Sequence, residues 1–130
     1  MDSQTLIADF KNALGQLQVA LSCPAENDVY KAGCIQYFEF SFELAWKTIK
    51  RIAEDEGLSD CTSPKAALKT AFSQGWIRDE ELWLDMLFAR NLMSHTYSAD
   101  QAMGIFDKLT GYLAALQQLE AAFENLIRGV

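Results

Sequence analysis

The chain gathers its chemistry into one stretch, Arg90-Asn91-Leu92-Met93-Ser94-His95-Thr96-Tyr97. His95 is the only histidine in 130 residues. An imidazole that titrates near neutral pH exchanges protons, and a planar guanidinium forks onto phosphate oxygens. Arg90 and His95 are therefore candidate catalytic groups for chemistry on a phosphate ester. Asn91 and Ser94 are candidate donors to orient the ligand. Tyr97, one turn beyond Met93, offers a hydroxyl that can be accessible for modification.

The surrounding apolar pattern predicts a helix, so the direction of each side chain follows from about 100° per residue. With Trp83 as origin, Leu87, Arg90, Ser94 and Tyr97 fall within roughly 40° of it and Met86 within roughly 60°. Leu84, Phe88, Asn91 and His95 form a second row, while Glu81, Asp85, Ala89 and Thr96 take the remaining face. Arg90 thus lies in an apolar stripe, where a charge needs a partner or a wet cleft. Two readings stay open. Arg90 pairs with a carboxylate on a neighbouring helix and His95 is a hydrogen-bonded structural residue, or both serve a ligand.

Period-3.6 patterning dominates the whole chain and no segment alternates like a strand. The reading is all-α, an antiparallel bundle of about five helices in a single domain, residues 1–130. The first helix is expected over about Ser3 to Leu21, burying Leu6, Phe10, Ala13, Leu14 and Leu17. The second starts near Asn27-Asp28 and runs to about Glu56 before Gly57. Its middle, from Ile35 to Trp46, is apolar or aromatic almost all round and should be covered on most sides. Phe38, Phe42, Trp46 and Leu87 are expected to be largely buried. Ser63-Pro64 starts the third helix, which closes at Gly75. The fourth spans about Asp79 to Tyr97. Ser98-Ala99-Asp100-Gln101 reads as a capping box for the fifth, which continues to about Arg128. His95 then falls in a C-terminal turn, whose partial negative charge favours the imidazolium. Gly104 and Gly111, on one face of the fifth helix, suggest close approach of another helix backbone.

Half the residues are apolar and 12% aromatic, enough for a sizeable core. The net charge of −7 disfavours broad, sequence-independent nucleic-acid binding, which draws on extended basic surface. Any RNA or nucleotide site must be a local cationic exception, and Arg90 with His95 is expected to supply it. Cys23, Cys34 and Cys61 are odd in number and lack a CxxC, and one histidine makes a zinc site improbable. No cofactor or metal is expected. With no basic-then-apolar start and no membrane-length apolar run, the expectation is a cytoplasmic protein with free thiols.

The chain resembles the HEPN superfamily, in its HepT-like, nucleotidyltransferase substrate-binding branch. The signature Arg-x4-His-x-Tyr stands here as Arg90, His95 and Tyr97. A second matching block is Ile35 to Thr48. A third comprises Ser63-Pro64, Ala71-Phe72, Gly75-Trp76-Ile77 and Trp83-Leu84-Asp85-Met86. The resemblance implies a HEPN-like four-helix bundle with an additional helix, dimerising with the Arg/His motifs near its two-fold. It implies a companion minimal nucleotidyltransferase, and two roles for the chain. One is the toxin of a toxin–antitoxin pair, a metal-independent endoribonuclease that the partner neutralises by adenylylating Tyr97. The other is a non-catalytic subunit that binds nucleotide or substrate for the partner.

Metal-independent RNA cleavage needs a base for the 2′-hydroxyl, an acid for the leaving 5′-oxygen and cationic donors for a doubly negative transition state. One histidine per chain is too few for the usual two-group scheme. A homodimer, or a higher even oligomer, duplicates His95 across its axis and lets Arg90 and His95, about 140° apart on an ideal helix, address one ligand.

Overall fold

The computed structural model describes residues 2–58, 61–95 and 98–128, with Ser94 and His95 described by their backbone alone. Five helices follow one another: α1 (Ser3–Ser22), α2 (Asp28–Asp55), α3 (Pro64–Ser73), α4 (Glu80–His95) and α5 (Ala99–Ile127). No strand occurs among the described residues. The fold is all-α.

All five helix starts are set by a short polar side chain that takes an otherwise orphaned amide. Asp2 accepts from Thr5 N at 2.7 Å, Asn27 from Tyr30 N at 2.8 Å and Ser63 from Ala66 N at 3.2 Å. Asp79 accepts from Leu82 N at 3.1 Å and Ser98 from Gln101 N at 3.4 Å. Pro64 fills the first helical position of α3, where its missing N–H costs nothing. Two glycines end helices. Gly57 (φ 71°) and Gly75 (φ 78°) adopt the left-handed conformation that residues with a Cβ rarely tolerate. Past them, Leu58 N returns to Ala53 O and Trp76 N to Ala71 O, both at 2.9 Å. These turns bring Leu58 against the core and Trp76 into it.

Contacts fix the directions of the helices. Tyr30, early in α2, donates its hydroxyl to Ala20 O late in α1, and Phe10 meets Phe123 edge-on at 5.7 Å. α1 is therefore antiparallel to both α2 and α5. Lys31 lies over Phe106, and Phe38 against Tyr112 at 5.1 Å, so α2 and α5 run the same way. α2 is the central element, packing against every other helix. Phe38, Phe42, Ile49 and Ala45 are fully buried on it.

Several expectations are corrected. Ile7, rather than Leu6, completes the buried face of α1 with Phe10, Leu14 and Leu17; Leu6 and Ala13 are half-buried. The inward direction is rotated by about one residue from the one chosen, which a 100° step easily allows. Trp46 and Leu87 are half-buried rather than largely buried. Trp46 turns its indole N–H to Glu43 Oε2 (3.1 Å) instead of filling the core. Nor is α2 covered on most sides within one chain, because Tyr37 and Phe40 stay exposed. No neighbouring group lies within 4 Å of a Cβ built at Gly104 or Gly111, so no other described part of this chain closes on that face.

Candidate functional site

α4 packs against α2, α3 and α5. Trp83, Met86 and Ala89 are buried, so the inward direction centres near Met86 rather than on the Trp83–Leu87–Arg90 line. On the α5 side, Tyr112 donates its hydroxyl to Asp85 Oδ2 at 2.5 Å, and Lys108 reaches the same oxygen at 3.3 Å. The Tyr112 hydrogen bond, aided by Lys108, holds the Asp85 carboxyl below its ordinary value. Burial, then Asp85, push the Tyr112 phenol upward. This pair ties α4 to α5 and leaves Arg90, one turn past Met86, on the α2 side.

Arg90 is half-buried and its Nη2 donates to Glu43 Oε1 on α2. Its Nη1 donates to Asn91 Oδ1 at 3.0 Å. Glu43 is a hub, since its other oxygen takes the Trp46 indole N–H at 3.1 Å and lies 3.9 Å from Lys47 Nζ. A cleft of about 200 Å³ opens beside the pair, lined by Gln36, Glu39, Phe40, Glu43 and Arg90. Burial pushes the Glu39 carboxyl above its ordinary value; Arg90 opposes the shift and Glu43 adds to it. The expectation of a locally positive pocket thus meets two carboxylates, Glu39 and Glu43, around one guanidinium.

Of the residues singled out in sequence, Arg90 and Asn91 are in contact and Asn91 is exposed. The Ser94 and His95 side chains and all of Tyr97 lie outside the described residues. Sequence reasoning missed Glu39 and Glu43. Their signal was available, as two carboxylates four apart in the apolar and aromatic middle of α2 stack on one face. It also missed Gln36 and Phe40, the neutral lining of the cleft. Among the described residues, no group of three or more His, Cys, Asp or Glu comes together as a metal site. Cys23, Cys34 and Cys61 form no disulfide among the described residues, and Cys61 Sγ donates to Thr70 Oγ1 at 3.5 Å. No described helix is long and apolar enough to cross a membrane.

Three comparisons converge. Residues 5–125 match the family model described as nucleotidyltransferase substrate binding protein like. A Haemophilus influenzae protein named probable ribonuclease HepT is 32% identical over 90 residues, a stretch that spans 66% of this chain and 62% of that protein. A crystal structure from Thermus thermophilus superposes with TM-score 0.79 at 32% identity, covering 88% of this chain and 98% of the other. A second structure, from Haemophilus influenzae and described as the fold of a substrate binding domain of a nucleotidyltransferase, gives TM-score 0.74 at 30% identity. It covers 95% of this chain and 99% of the other.

Proposed function

The chain belongs to the HepT-like family of nucleotidyltransferase substrate-binding proteins, and on that premise we propose that it is the ribonuclease toxin of a toxin–antitoxin pair. It cleaves RNA without a metal, through Arg90 and His95, in a cleft completed by a second copy of the chain. The observation that carries this reading is the placement of Arg90. α2 and α4 hold a guanidinium half-buried at a cleft, oriented by Glu43 and Asn91, with room beside it.

The steps follow from the groups. The 2′-hydroxyl attacks the adjacent phosphorus, its proton passing to one His95, and the P–O5′ bond breaks as the protonated His95 of the second copy gives its proton to the leaving 5′-oxygen. Arg90 stabilises the added charge on the phosphoryl oxygens. Phe40, half-exposed at the cleft, offers a ring face for an unpaired base, and Gln36 a donor and acceptor for its edge. Pairing across a two-fold brings two copies of His95 to one site. Phe88 (64% exposed) leaves aromatic surface bare on a single chain, which supports a partner copy there. Purified protein incubated with RNA in EDTA should yield fragments that disappear with His95→Ala. Intact RNA with the wild-type protein, alongside retained nucleotide binding, would instead favour the non-catalytic binding subunit. Light scattering should show at least a dimer at micromolar concentration; a monomer sinks the shared cleft.

Control by the companion nucleotidyltransferase acts through Tyr97 in this reading. An AMP attached there adds bulk and negative charge near Arg90, blocking phosphate and engaging the guanidinium. Incubation with the partner enzyme, ATP and Mg²⁺ should add AMP mass to the Tyr97 peptide and silence cleavage. No such mass, with the partner active on another substrate, would remove Tyr97 from the scheme.

A further inference from the structure

Glu39 and Glu43 share a face of α2, yet their surroundings differ. Glu43 is engaged at both oxygens, by Arg90 on one and by Trp46 and Lys47 on the other. Glu39 has no hydrogen bond or ion pair among the described residues, although it lines the same cleft, half-buried beside the exposed ring of Phe40. An anion arriving at Arg90 therefore meets a carboxylate that no hydrogen bond or ion pair engages among the described residues. Two negative groups in a small, partly dry space repel unless one takes a proton.

We propose that Glu39 is a proton-linked gate on this cleft: a phosphodiester seats at Arg90 with Glu39 as the neutral acid, which donates a hydrogen bond to a phosphate oxygen. This rests on the reading of the Arg90 cleft as a phosphate site, but not on cleavage. Among the described residues, the charged groups facing Glu39 are Arg90 from α4 and Glu43 from α2 itself. His95 is removed in the test because its imidazole titrates in the same range.

The sign is fixed by linkage. Burial already favours the neutral Glu39 carboxyl, and a bound phosphodiester adds negative charge beside it, so the complex holds more proton than the free protein. Affinity then falls as pH rises from the free protein's Glu39 titration toward that of the complex. The fall is up to about tenfold per pH unit for one linked proton.

The probe is a short 2′-O-methyl oligoribonucleotide, which has no 2′-hydroxyl to attack and whose phosphodiesters keep their charge throughout. Calorimetry of His95→Ala protein in two buffers of different ionisation enthalpy should show about one proton taken up per site. Adding Glu39→Gln should abolish that uptake, flatten the pH dependence and tighten binding at the alkaline end. Unchanged uptake in the double variant, or no oligonucleotide bound at any pH, overturns the proposal. NMR titration of the Glu39 carboxyl in the otherwise unaltered protein needs no substitution at Glu39. Its midpoint must move to higher pH with oligonucleotide bound, and an unmoved midpoint equally overturns the gate. Cleavage of ordinary RNA without Glu39-linked uptake removes the gate and leaves the ribonuclease reading standing. Linked uptake without cleavage does the reverse.

Discussion

On the proposed ribonuclease reading, Arg90→Ala is expected to lower RNA cleavage by about 10²–10³-fold, the usual loss when one preorganised donor to transition-state charge is removed, while the bundle stays folded. The second half of that expectation follows from exposure. The Arg90 and Glu43 side chains keep 26% and 30% of their surface in water. A Glu43 carboxylate left alone is thus rehydrated in part and retains Trp46 and Lys47. A partly solvated pair of this kind contributes roughly 1 kcal/mol or less. Arg90→Lys should fall between wild type and alanine in rate, because it keeps the charge and loses the planar fork. Single-turnover cleavage beside urea denaturation reads both quantities. Should Arg90→Ala unfold the protein, and the wild type show no affinity for an anion, Arg90 is structural.

That ion pair marks the boundary of what the sequence made legible. Helix ends were readable because their causes are local: Asn27, Ser63 and Ser98 cap amides three residues away, and Gly57 and Gly75 supply a backbone conformation of their own. The anomaly at Arg90 was equally local, a charge set among apolar neighbours. Its partner was not, because Glu43 lies 47 residues earlier on another helix and only packing brings the two together. The inward direction of α4 failed for a related reason. Trp83, Leu87 and Arg90 form a plausible stripe, but Asp85 is a polar residue that Tyr112 and Lys108 make acceptable near the core, and Ala89 beside it is buried. A periodicity argument counts Asp85 as wet and so tilts the helix the wrong way. Gly104 and Gly111 show the same limit, since their open face has no neighbour within the described chain.

Phe42→Ala should destabilise the protein by about 3–5 kcal/mol, a large part of the about 5–15 kcal/mol that holds an ordinary domain folded. Phe42 is fully buried, its ring 6.2 Å from Phe38 and 6.3 Å from Trp83. Removing it opens a cavity at the junction of α2 and α4 that fully buried neighbours cannot easily fill. Phe42→Leu keeps most of the volume and should cost less than about 1.5 kcal/mol. A fall in the urea midpoint with an unchanged slope would identify lost packing rather than an altered denatured state. The site should register the same change. Glu43 follows Phe42 on α2, and Trp83 lies two turns before Arg90 on α4. The Phe42–Trp83 contact thus joins the same two helices that carry Glu43 and Arg90. Cleavage by Phe42→Ala should fall well below wild type even at temperatures where circular dichroism shows it folded, with Phe42→Leu close to wild type. Equal rates for all three folded proteins would separate the packing of α2 against α4 from the geometry of the cleft.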